Sequence, residues 1–164
     1  MSHVIPFAAN SPAPAAEKRL VLRILDLWRH AHQTDELPPA ASLSAADTGA
    51  DMDHVYMIDV AHPGGPCFTH IGEALRTGDW PRKTEALLAD CPEGSVLGLS
   101  SRNWREIVDR RVPVTRGGIG RHQGGPVLYR SIMMPLADQS GGISVIMGAV
   151  NWRKVEEQDG RPIV

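Results

Sequence analysis

Two cysteines, Cys67 and Cys91, are all the thiol chemistry this 164-residue chain has, and neither belongs to a C-x-x-C pair. A disulfide framework and a structural zinc site are therefore set aside, and two buried thiols are expected instead. No run approaches the roughly 20 apolar residues of a membrane span, and residues 1–16 lack the basic start and apolar middle of a secretory signal. A cytoplasmic protein is the expectation. Nor does one charge dominate: 17 basic against 19 acidic side chains leave a net −2. That is too small a field to gather nucleic acid or anionic lipid, so neither partner is expected.

Several chemical motifs are missing at the places where they come closest. The stretch "VTRGGIGRHQGGPVLYRSIMMPL" holds five glycines between Gly117 and Gly125, yet neither G-x-G-x-x-G nor G-x-x-x-x-G-K-[ST] can be laid over it. A phosphate loop also needs a helix leaving the glycines. The exit here is β-branched and apolar, so the stretch reads as a hairpin. In "LGLSSR", Gly98 and Ser100 begin a G-x-S-x-G, but Arg102 stands where the strained elbow needs glycine. His30 and His32 lie two apart on a helix and point to opposite sides, so they form no metal claw. No metal site is expected.

What is present is one domain, 17–155, between an Ala- and Pro-rich arm, 1–16, expected to be flexible, and a short tail, 156–164. "EKRLVLRILDLWRHAHQ" puts Leu20, Val21, Ile24, Leu25 and Trp28 on one helical face and Arg19, Arg23, Asp26 and His30 on the other. Pro38 and Pro39 stop it. Alternation marks strands at 54–61 and 67–72 around the turn "HPGGP", and at 112–119, 127–136 and 143–152. Between the two groups, "EALRT", "WPRKTEALLADC" and "SVLGLSSRNWREIVDRR" read as short helices. Ser42 is expected to cap a short helical turn through Asp47 that Gly49 ends. The order predicts an α+β fold: one five-stranded antiparallel sheet, short helices on one face, and the N-terminal amphipathic helix available to cover the other.

Four segments of this sequence, "LDLWRHAHQTDELPPAASLS", "CFTHIGEAL", "CPEGSVLG" and "GGPVLYRSIMMPLAD…GGISVIMGAVNWR", resemble the stand-alone bacterial PAS-domain proteins of alphaproteobacterial type. The resemblance spans 17–155. It implies a PAS fold, an N-terminal helix used in dimerisation, and a sensory or regulatory role exercised in trans on a signalling protein partner. It also speaks to cofactors by what is missing. Flavin-binding light sensors of that superfamily carry an Asn-Cys-Arg-Phe-Leu-Gln run on a helix, and nothing here matches it. The haem-binding branch ligates iron with a histidine on the helix before the last three strands, where "SVLGLSSRNWREIVDRR" has none. Flavin and haem are both disfavoured on this basis, while a small organic ligand is admitted.

A cavity between sheet and helices would be lined by Ile58, Phe68, Ile71, Trp104, Ile132 and Met134. Arg130 shares a strand face with Ile132 and Met134, where an unpaired charge is costly. Two readings stand for it: an ion pair with a carboxylate such as Asp59, which is preferred, or a grip on the acidic head of a ligand. Leu20, Ile24 and Trp28 form the expected surface for a homodimer or docked partner. The function expected is therefore a non-enzymatic PAS-type regulatory module. Two alternatives are kept: a small enzyme of ketosteroid-isomerase type with Asp59 as its ionisable group, and a ligand-free adaptor with a filled core.

Overall fold

The computed structural model describes residues 3–4, 16–32, 36–81 and 86–155. The tail 156–164 and the arm 1–16, apart from 3–4 and 16, lie outside the described residues.

The amphipathic pattern becomes helix α1, Ala16–Ala31. Leu20, Val21, Ile24, Leu25 and Trp28 are buried, whereas Arg19, Arg23, Asp26 and His30 are exposed. At about 1.5–3 kcal/mol per large apolar side chain taken from water, this seam contributes on the order of 10 kcal/mol before chain entropy is charged against it. Trp28 adds direction to it: its Nε1–H donates to the carbonyl of Pro135 at 2.9 Å. On the outer side, Arg23 makes a two-point ion pair with Asp51 at 2.7 and 2.8 Å. That pair ties α1 to a 3₁₀ stretch, Ala45–His54, whose start is fixed by a reciprocal Ser44–Asp47 capping box and whose path kinks at Gly49 (φ 58°). The cap falls on Ser44, not on Ser42 as expected, because Asp47 is three residues from Ser44 and returns the bond to its backbone N–H at 2.7 Å.

The sheet contains the five expected strands and two edge pieces. In chain order these are β1 (His3–Val4), β2 (Val55–Asp59), β3 (Cys67–Ile71), β4 (Ala86–Leu87), β5 (Val114–His122), β6 (Gly125–Ala137) and β7 (Ile143–Lys154). They lie side by side as β1-β5-β6-β7-β2-β3-β4, every neighbouring pair antiparallel. The long strands number five; β1 and β4 are two residues each. The glycine-rich stretch is a hairpin, as its exit suggested. His122 pairs with Gly125, and the two residues between them, Gln123 and Gly124, have φ of 51° and 82°, the double left-handed signature of a tight type I′ turn.

The middle of the chain is less helical than expected. "EALRT" yields one 3₁₀ turn, Glu73–Leu75, and "ALLAD" gives β4 followed by a 3₁₀ turn, Leu88–Asp90. The third segment breaks into α2 (Val96–Ser101) and α3 (Trp104–Arg110). Ser95 caps α2 by accepting from the Gly98 N–H at 3.0 Å, and Arg111 ends α3 in the left-handed region at φ 59°.

The sheet divides the interior into two apolar clusters. On one face α1 packs against Val55, Met57, Ile132, Met134, Leu136 and Met147. On the other, α2 and α3 bring Leu97 and Ile107 onto Tyr56, Ile58, Met133 and Val150. This antiparallel sheet with helices on both sides is a PAS-like α+β fold.

Candidate functional site

The residues expected to line one cavity are placed on two faces. Ile58, Phe68, Ile71 and Trp104 belong to the α2/α3 side, whereas Ile132 and Met134 belong to the α1 side. The register explains the split. Met134 pairs with Met147, and Met147 with Met57, so Met134 shares a face with Met57 and not with its neighbour Ile58. Arg130 also falls on the α1 side, past the cover of the helix, with its aliphatic stem over Gly117. The preferred ion pair with Asp59 does not form. Asp59 pairs with Val145, which lies opposite Leu136, six residues along β6 from Arg130 and so about 20 Å away at the rise of a strand. Asp59 instead closes the β2 turn by accepting the Ala61 N–H at 2.9 Å.

Leu20, Ile24 and Trp28 also need correction as a docking surface. They are 1%, 0% and 6% exposed, covered by the chain's own sheet, so a second copy has no access to them.

The centre of the α2/α3 side is Tyr56. Its ring is fully buried, its hydroxyl shares a hydrogen bond with Ser100 Oγ at 2.6 Å, and it meets Phe68 edge-on at 5.8 Å between centroids. Phe68 in turn meets Trp80 edge-on at 6.0 Å. The ring lies against Gly148 so closely that a Cβ there would fall inside it. Burial holds the Tyr56 phenol above its ordinary range and pushes the Cys91 thiol up to about 11. Both stay protonated and inert as nucleophiles at neutral pH. Ser100, the serine of the incomplete elbow motif, is buried in α2 and engaged with Tyr56.

The arginines near the hairpin are largely committed to structure. Arg110 and Arg116 share Glu106, at 2.9 and 2.6 Å, which clamps α3 to β5. Arg111 donates to the Gly141 carbonyl at 2.9 Å.

Sequence reasoning missed a cluster at the far end of the same face. His54 and His122 both lie against Trp152, with ring centroids 5.2 and 4.3 Å away. Burial lowers the pKa of each imidazole; Asp51 and Asp53 oppose the shift at His54, and His54 adds to it at His122. The Nδ1 of His122 is buried without a hydrogen-bond partner. Beside it is a pocket of about 390 Å³. A larger surface cavity, about 830 Å³, lies between the loop after α1 and the β6–β7 turn. Among the described residues no group of His, Cys, Asp and Glu is arranged to hold a metal ion, and no helix is long and apolar enough to cross a membrane.

No protein-family model matches the chain, and no curated relative does. Solved structures do. The light state of the blue-light photoreceptor Aureochrome1 LOV is 18% identical with a TM-score of 0.42, over 65% of this chain and 89% of that one. An RNA-binding light-oxygen-voltage receptor is 15% identical with a TM-score of 0.45, over 96% of this chain but 39% of its own length. A light-oxygen-voltage domain whose mechanism was probed with a flavin analogue is 16% identical with a TM-score of 0.41, over 70% of this chain and 84% of that one. At these identities the likeness is one of fold. It nevertheless corrects one expectation: flavin was disfavoured on a missing sequence run, and the neighbours are light-oxygen-voltage domains.

Proposed function

We propose that this chain is a PAS-type sensory or regulatory module, non-catalytic, that acts through contact with a signalling protein and responds to a small organic ligand. The observation that supports this best is the single antiparallel sheet with two packed faces, an arrangement in which the α2/α3 side and α1 share the same strands. The enzyme alternative loses its base, since Asp59 sits at a strand end closing a turn. A homodimer remains part of the proposal, with its surface elsewhere than Leu20, Ile24 and Trp28.

The test is native mass spectrometry of the full chain, with an absorbance spectrum from 350 to 500 nm and a thermal-shift screen of small organic compounds. The expected result is a retained compound, or one that raises the melting temperature in a dose-dependent way. Turnover of any screened compound that Asp59→Asn abolishes would overturn the reading, as would the absence of any retained or stabilising compound.

A further inference from the structure

The pocket at the β5–β6 turn lies at the far end of the Tyr56 face, against Val127 and Trp152. Its wall is aromatic: Trp152 and His122 present rings 4.3 Å apart and tilted by 48°, and Pro126 and Val127 complete the apolar part. Lys154 is the charged side chain among its described lining, and no carboxylate faces it there; Gln123 brings an amide and Gly124 a bare backbone. At about 390 Å³ the space lies at the lower end of the range that takes small ligands.

We infer that this pocket binds a small planar aromatic carboxylate, with the ring against Trp152 and His122 and the acid group toward Lys154 and the Gln123 amide. The aromatic wall selects a flat ring, because stacked rings gain beyond their buried area. Lys154, the charged side chain among the described lining, selects an anion, since a charge-assisted hydrogen bond is about twice as strong as a neutral one. This inference rests on the pocket and not on the sensory reading, so either stands if the other fails.

Three probes share one ring and differ in charge: indole-3-acetate, indole-3-ethanol and tryptamine. Their binding to the full-length protein is measured by titration calorimetry and by amide chemical shifts. Indole-3-acetate is expected to bind at least tenfold more tightly than tryptamine, with shifts gathered at 122–127 and 152–155. Lys154 is exposed, so its substitution leaves the fold alone. Lys154→Gln is expected to weaken indole-3-acetate by about fivefold, and Lys154→Glu to reverse the order and favour tryptamine. Equal affinity for the three probes, shifts centred elsewhere, an order unchanged in Lys154→Glu, or no binding at all overturns the assignment.

Discussion

Adding one methyl group at residue 148 tests the account of the interior, provided that Tyr56 is varied alongside it. An alanine Cβ at Gly148 would meet Cζ, the hydroxyl and Cε2 of Tyr56. The ring has no easy retreat, because Ser100 holds the hydroxyl at 2.6 Å and Phe68 stands against its edge. Overpacking of this kind costs about 1–3 kcal/mol, and a site in mid-strand with fixed neighbours belongs at the top of that range. Tyr56→Leu removes the three clashing atoms. Alone it is expected to cost about 2 kcal/mol, from a lost hydrogen bond to Ser100 and a partly filled void. In that background the three nearest atoms to the alanine Cβ are gone, and the penalty should fall to within about 0.5 kcal/mol of zero. The coupling between the two positions is then about 2.5–3 kcal/mol. Urea unfolding followed by tryptophan fluorescence measures all four corners of the cycle, with a shared slope confirming that midpoints report stability. Costs that simply add, with coupling under about 0.5 kcal/mol, would refute the picture of a glycine reserved for the tyrosine ring.

Other consequences are as direct. Trp28→Phe keeps the apolar contact of α1 but strands the Pro135 carbonyl, and should lower unfolding free energy by about 1–2 kcal/mol in the same urea assay. His54 and His122 have folded pKa values below the ordinary 6.5, so the unfolded chain binds their protons first. Their effect is absent above that pH, and stability falls as pH drops below 6.5 toward the folded values. Melting temperatures from pH 8 to 5 should show this decline, and His122→Phe should flatten it; an unchanged slope contradicts the assignment. Gln123→Asn places a residue suited to left-handed backbone in the hairpin turn and should stabilise by a few tenths to about 1 kcal/mol, read as a rise in the urea midpoint.

The strands were legible because each alternates within itself, and the five long ones appear close to their expected bounds. What alternation does not carry is phase between strands. Ile58 and Met134 were grouped as one lining although the pairing of Met134 with Met147, and of Met147 with Met57, places them on opposite sides. A single residue of register decides this, and register is set by turns and partners. Ala86 and Leu87 mislead for a related reason: their helix-favouring composition yields to pairing with Phe68 and Cys67. For α1 the pattern correctly marked an apolar stripe but could not say who buries it. The meeting of His54, His122 and Trp152 left no local trace, since each sits on a different segment and only the completed sheet brings them together.

One feature of the sheet couples its two faces. Successive residues of β6 belong to different compartments: Ile132 and Met134 press on the long N-terminal helix, while Met133 presses on the layer that holds Tyr56. The strand is thus a shared wall, and sliding or tilting it displaces furniture in both rooms at once. Neither compartment can be refitted in isolation, and a substitution chosen to enlarge one should be audible in the other.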